Sequence, residues 1–206
     1  MLTKAQIANL VATVSGDPAV LRKAQELADG FIRPPRPGEN CCAATLSYLL
    51  IDVLALPLRP EPTALKLSYV LQHDYDLVEV PVTDPRLPGD IGVVSQPPGP
   101  PQPLDAVIGE GDDPRAQVPD GDAVEGPKPD AAVIPVQGAG YVNPDPHGVN
   151  VHHIYLVLQS NIDGAVPDAM LVADNQGVAH GRRAGGGNYK GKSASKTNYF
   201  LRAVAN

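Results

Sequence analysis

The chain has 206 residues, 43% of them hydrophobic, which is enough for one domain with a genuine core. A net charge of −7 and an aromatic content of 4% argue against a nucleic-acid binder, which needs a basic face to neutralise phosphates. No run approaches the roughly 18 apolar residues of a membrane span, and Met1 to Gln6 lack the basic region and apolar run of a secretory leader. The expectation is a product that is cytoplasmic as synthesised and binds neither nucleic acid nor membrane. Work outside a cell would then require its release or delivery.

In chain order, Thr3 and Gln6 have the form of a capping box, and Ile7, Leu10, Val11 and Val14 follow at helical spacing. Asp17-Pro18 signals a second helix start, with Val20, Leu21, Ala24, Leu27 and Ala28 as its stripe and Gly30 as its stop. A proline-stiffened loop, Pro34 to Asn40, leads into a third helix. There Cys42, Leu46, Leu49, Leu50 and Val53 share one face, so that Cys42 falls in the first turn. A short helix over 63–72 closes the helical half.

The period then changes. Strands are predicted at Leu77–Val80, Asp90–Val94, His153–Leu158, Ala169–Ala173 and Asn198–Ala203, a mostly antiparallel sheet of about five. Helices first and strands after give an α+β domain spanning 1–206. Between about 96 and 147 lies a Pro/Gly-rich insertion holding about half of the 23 prolines. Val133 to Val136 form a possible small strand within it. So long a loop is a lid, a partner-binding segment or a plain solvated tether.

Two cysteines, Cys41 and Cys42, are adjacent. A disulfide between sequence neighbours is strained, and no Cys or His stands near them at metal-ligand spacing, so neither a staple nor a metal is expected. Two small buried hydrophobes are the plain reading. Against it stands the position of Cys42 at a helix start, where the partial positive charge favours a thiolate. The same helix start offers amides to an oxyanion, and Ala43 and Ala44 leave room for a carbonyl. A nucleophilic thiol also needs a base, held by a third group. Of five histidines, His73 ends a helix, His147 lies in the insertion, His180 falls in a Gly-rich loop, and His152 and His153 open the best strand. Asp174 and Asn175, after the next strand, can orient an imidazole.

These residues resemble a family. Cys42-Ala43-Ala44-Thr45-Leu46-Ser47 is similar to the C-A-A-F-V-S nucleophile helix of CHAP-type amidases and related peptidoglycan hydrolases. Leu87-Pro88-Gly89-Asp90-Ile91 resembles their "PGD" turn, and Leu77 to Pro81 the segment before it. His153-Ile154-Tyr155-Leu156-Val157 resembles the "HVGIV" strand with the catalytic His, and Asp174-Asn175-Gln176-Gly177 the "GNQ" element. The four motifs run in order from about 40 to 177. The resemblance implies a papain-like fold and a cysteine amidase or endopeptidase acting on a peptide amide, typically in peptidoglycan stem peptides, with no cofactor. It selects Cys42 over Cys41, His153 over His152, and Asn175 as orienter. The sequence departs from the pattern at Thr45, which replaces an aromatic, at Cys41, at the long insertion, and at Asp174, where the family has Gly. That last departure leaves Asp174 and Asn175 both open. The rival readings are a non-catalytic structural or binding protein of a virion or secretion apparatus, with the insertion contacting a protein partner, and a deamidase or transglutaminase on the same scaffold.

Overall fold

A computed structural model describes residues 1–32, 41–96 and 150–206. The Pro34–Asn40 loop, the insertion over 97–149 with its Val133–Val136 segment, and His147 lie outside the described residues.

The chain is α+β, its helices preceding its strands. Helix α1 (Lys4–Gly16) starts at Thr3, whose hydroxyl accepts from the Gln6 amide while the Gln6 side chain accepts from the Thr3 amide. The box satisfies amides that the helix itself leaves unpaired. Helix α2 (Pro18–Phe31) starts on the Asp17 carboxylate, which accepts from the Ala19 amide. It runs through Gly30 and ends one residue later, capped at Ile32. Gly30 is therefore helical and is not the predicted stop. Helices α3 (Cys42–Leu54) and α4 (Ala64–His73) follow, the second capped by Thr63.

The strands are β1 (Val78–Pro81), β2 (Ile91–Gln96), β3 (Asn150–Ser160), β4 (Ala169–Ala173), β5 (His180–Arg183), β6 (Gly187–Tyr189), β7 (Lys192–Ala194) and β8 (Tyr199–Arg202). Six of them form one antiparallel sheet in the order β1-β8-β2-β3-β4-β5, while β6 and β7 make a separate hairpin. The five predicted strands are present. The sixth, β5, reads in sequence as a glycine-rich loop because His-Gly-Arg-Arg carries no apolar alternation. It pairs with β4 through its backbone, His180 opposite Val172, so His180 is a strand residue.

Alternation along β3 separates two clusters. Ile154, Leu156 and Leu158 join Leu10, Leu46, Leu49, Leu50 and Leu67 in the core that the helices cover, whereas Tyr155 and Val157 join Phe200, Met170 and Val172 on the opposite face. Tyr155 is fully buried, bonded through its hydroxyl to Thr197 Oγ1 at 2.6 Å, and its ring lies over Gly92. A Cβ at Gly92 would sit 2.1 Å from that ring.

The Leu87-Pro88-Gly89-Asp90 turn is architectural. Gly89 has φ +94°, and a Cβ there would strike Ile7 of α1. Its amide and the Asp90 carbonyl pair with Val157 of β3. The Asp90 carboxylate accepts two bonds from Arg202 of β8, both 2.7 Å, and one from the Leu87 amide at 2.8 Å. This ties the start of β2 to the far end of the chain. Replacing Arg202 by Met leaves a buried carboxylate without its cation, so the expected cost is about 3 kcal/mol in urea unfolding. A loss below about 1 kcal/mol would show the pair to be dispensable.

Candidate functional site

Cys42 is the first residue of α3, and the helix is enclosed almost all round by α1, α2 and the sheet. Cys41, at the N-cap, makes no capping bond. The two thiols have different surroundings. Cys41 packs against Ala28 and Ala44 and donates to Asp29 of α2. Burial first, then that bond and the Asp29 charge, push its pKa up to about 11, so it stays a thiol at neutral pH. Cys42 is 3% exposed and belongs to the main core, but it lies within hydrogen-bonding and Coulombic reach of the His153 ring. Ala43 and Ala44 are fully buried. Thr45 is likewise buried.

His153 sits near the start of β3, and its neighbour in sequence explains how it is aimed. Val94 pairs with His153 but Ser95 pairs with Val151, so β3 carries one extra residue, His152, as a bulge. A bulge bends its strand and redirects the side chains beside it. By alternation His153 follows Tyr155, its ring 5.9 Å from the tyrosine's, rather than the helix-facing Ile154. Contact with Cys42 is therefore not a consequence of strand alternation.

The third group is Asp174. It follows the last residue of β4, its side chain is 1% exposed, and its Oδ2 lies 3.1 Å from His153 Nε2. Oδ1 accepts from the Gln176 amide at 2.8 Å. The loop is pinned by Gln25 of α2, whose Nε2 donates to the carbonyls of Asp174 and Gly177. With Nε2 committed to the carboxylate, Nδ1 is the nitrogen left for the thiol. Asn175, the next residue, is half-buried and does not supply the carboxylate that His153 meets.

The electrostatics fit a charged imidazole. Burial acts to lower the His153 pKa, but the bonds to Asp174 and Cys42 and the charges beside it outweigh burial and hold it up at about 9. Asp174 is held below its usual value: burial opposes this, while the His153 bond and the charges of His180 and His153 prevail. Because the His153 pKa is raised on folding, its stabilising contribution is complete below about pH 6.5 and is lost as pH rises through about 9. Asp174, with a depressed pKa, contributes above about 3.8 and loses that contribution as the pH falls. Urea midpoints measured against pH should therefore decline between pH 6.5 and 9 in the wild type and decline less in Asp174→Asn. Parallel slopes would show that the His153–Asp174 contact carries no linkage.

One functional candidate was missed in the sequence. His180 Nε2 lies 3.7 Å from the same Asp174 Oδ2, brought there by β5, the strand whose pattern gave no signal. His73 is remote in role: its Nδ1 bonds the Tyr69 carbonyl and its ring stacks on Tyr69. Among the described residues no group of three or more His, Cys, Asp or Glu is placed to hold a metal, and no helix is long and apolar enough to cross a membrane.

No family model, curated protein or solved structure matches the chain.

Proposed function

We propose that the protein is a cysteine amidohydrolase or peptidase of papain-like architecture, with Cys42 as nucleophile, His153 as acid and base, and Asp174 as the group that orients and charges the imidazole. The observation that carries this reading is one imidazole held between a helix-start thiol and a buried carboxylate. A buried His–Asp pair beside a thiol, with the pKa values of both partners shifted, is the kind of cluster that marks functional sites.

In the proposed reaction the Cys42 sulfur attacks an amide carbonyl and forms a C–S bond. The His153 imidazolium gives its proton to the leaving amine as the C–N bond breaks. A water, losing a proton to His153, then attacks the thioester, and the acid leaves as the thiol–imidazole pair reforms. The first-turn amides of α3 are the donors available to the oxyanion, since Cys41 supplies no cap. No step calls for a cofactor. A stem peptide of peptidoglycan is the substrate class that the sequence motifs favour, with the segment over 97–149 beside the site in sequence.

The low exposure of Cys42 favours the rival reading, a papain-like scaffold retained as a non-catalytic structural or binding protein. Alkylation separates the two. A Cys42 activated by His153 should react with iodoacetamide at pH 6 and lose that reactivity in His153→Ala. A thiol inert at pH 6, or equally reactive in both proteins, would remove the enzyme reading and leave the structural one.

A further inference from the structure

The same carboxylate oxygen faces two imidazoles. Asp174 Oδ2 lies 3.1 Å from His153 Nε2 and 3.7 Å from His180 Nε2, while Oδ1 is taken by the Gln176 amide. All three side chains are shielded, at 14%, 1% and 9% exposure for His153, Asp174 and His180. The His180 contact is longer than a hydrogen bond and acts through charge and dipole. A carboxylate facing Nε2 selects the tautomer with its proton on that nitrogen. His180 Nδ1 is buried and makes no hydrogen bond, while the Val178 backbone beside the ring acts to raise its pKa.

The strand that carries the ring is fixed at both neighbours. His180 pairs with Val172, and the Tyr189 ring packs on Gly181, where a Cβ would sit 2.5 Å away. The charged groups facing it are Asp174 at the end of β4, Lys192 of β7 and Arg182 of β5. Burial first, with the charges of Lys192 and Arg182, holds the His180 pKa below its usual value against Asp174 and the Val178 backbone, which act to raise it. Around His153 the corresponding groups are Asp174 and Cys42. Two neighbouring histidines thus face one oxygen, the pKa of one held up and that of the other held down.

We propose that His180 is a positioning residue, which by sharing Asp174 Oδ2 limits how tightly that carboxylate holds the His153 imidazolium. The inference rests on the catalytic reading of Cys42, His153 and Asp174. A group that must give a proton in one step and take one in the next works best when neither form is strongly favoured at the working pH. A buried carboxylate with a single partner would fix the proton on His153. A second N–H dipole on the same oxygen draws off part of its field, so its removal should strengthen the hold on His153.

The test is an NMR titration of the His153 ring carbons in the full chain, in His180→Leu and His180→Gln. Leu fills the space without a donor, and the Gln amide can present an N–H where Nε2 stood. The expected result is a His153 pKa raised by about 0.5–1 in the Leu variant and changed by less than about 0.3 in the Gln variant. The alkaline limb of kcat should move with it while KM holds. No shift with Leu, a downward shift, or equal shifts in both variants would overturn the proposal. Should the Leu variant fail to fold, the wild type still decides: the Asp174 carboxyl carbon signal must move as His180 titrates, and a flat signal refutes the coupling. The titration needs no substrate, so the two readings fail separately. A Leu–Gln contrast without amide turnover would discard the hydrolase, and turnover without the contrast would discard the role of His180.

Discussion

Cys42→Ala is expected to abolish amide hydrolysis, by at least about three orders of magnitude, while leaving the fold intact. Removing a nucleophile eliminates the covalent path and leaves only binding and oxyanion stabilisation. The structural cost should be small, because losing one buried sulfur from a helix start leaves a cavity of about one atom. A loss of about 1 kcal/mol, or a few degrees in Tm, is the scale. Turnover of stem-peptide fragments, with a thermal melt on the same sample, makes the measurement. Cys41→Ser supplies the contrast: its thiol is held protonated beside Asp29 and packs against Ala28 and Ala44, so turnover should stay within about threefold. If Cys42→Ala hydrolyses at the wild-type rate, the thiol is not the nucleophile. If Cys41→Ser is the inactive one, the assignment of the two thiols is reversed.

The second large effect is expected at Asp174. Asn keeps the shape and can still accept from the Gln176 amide on Oδ1, but it removes the charge that faces His153. Burial, the largest influence on that ring, then acts with less opposition. The His153 pKa should fall from about 9 toward or below 6.5, so that less of the ring is protonated at neutral pH. A loss of two to four orders of magnitude in kcat is expected, roughly the effect of removing the carboxylate from other triads. Asn175→Ala, by comparison, should cost less than about tenfold. A His153 that still titrates near 9 in Asp174→Asn would release Asp174 from its role. A larger loss in Asn175→Ala than in Asp174→Asn would return the orienting role to Asn175.

The helices were legible because their signals are local. Thr3 with Gln6, Asp17 with Pro18, and Thr63 each satisfy helix-start amides within a few residues, a requirement that the sequence displays directly. Strands β1, β2, β3, β4 and β8 were legible for a related reason, since their apolar runs must be buried on at least one face. Cys42 at the start of α3 followed from the helical spacing of Leu46, Leu49 and Leu50.

What the sequence could not decide depends on contacts between distant segments. Strand β5 has no apolar alternation and exists because the edge of β4 has backbone groups to pair, so His180 was placed in a loop. Alternation along β3 would turn His152, not His153, toward the side of Ile154. The extra residue of β3 opposite Val94 and Ser95 is a property of two strands together, which no spacing in the sequence displays. The choice between Asp174 and Asn175 turned on one peptide's orientation, fixed by Gln25 reaching over from α2 to two carbonyls of the loop. The burial of Ala43 and Ala44, where α2 and the sheet meet α3, is likewise a property of the packing. Sequence therefore determined the helices, most of the strands and the thiol's place at a helix start. Only the tertiary structure decided which carboxylate meets the imidazole and which second histidine joins it, because an ion pair buried across 21 residues is set by packing and not by spacing.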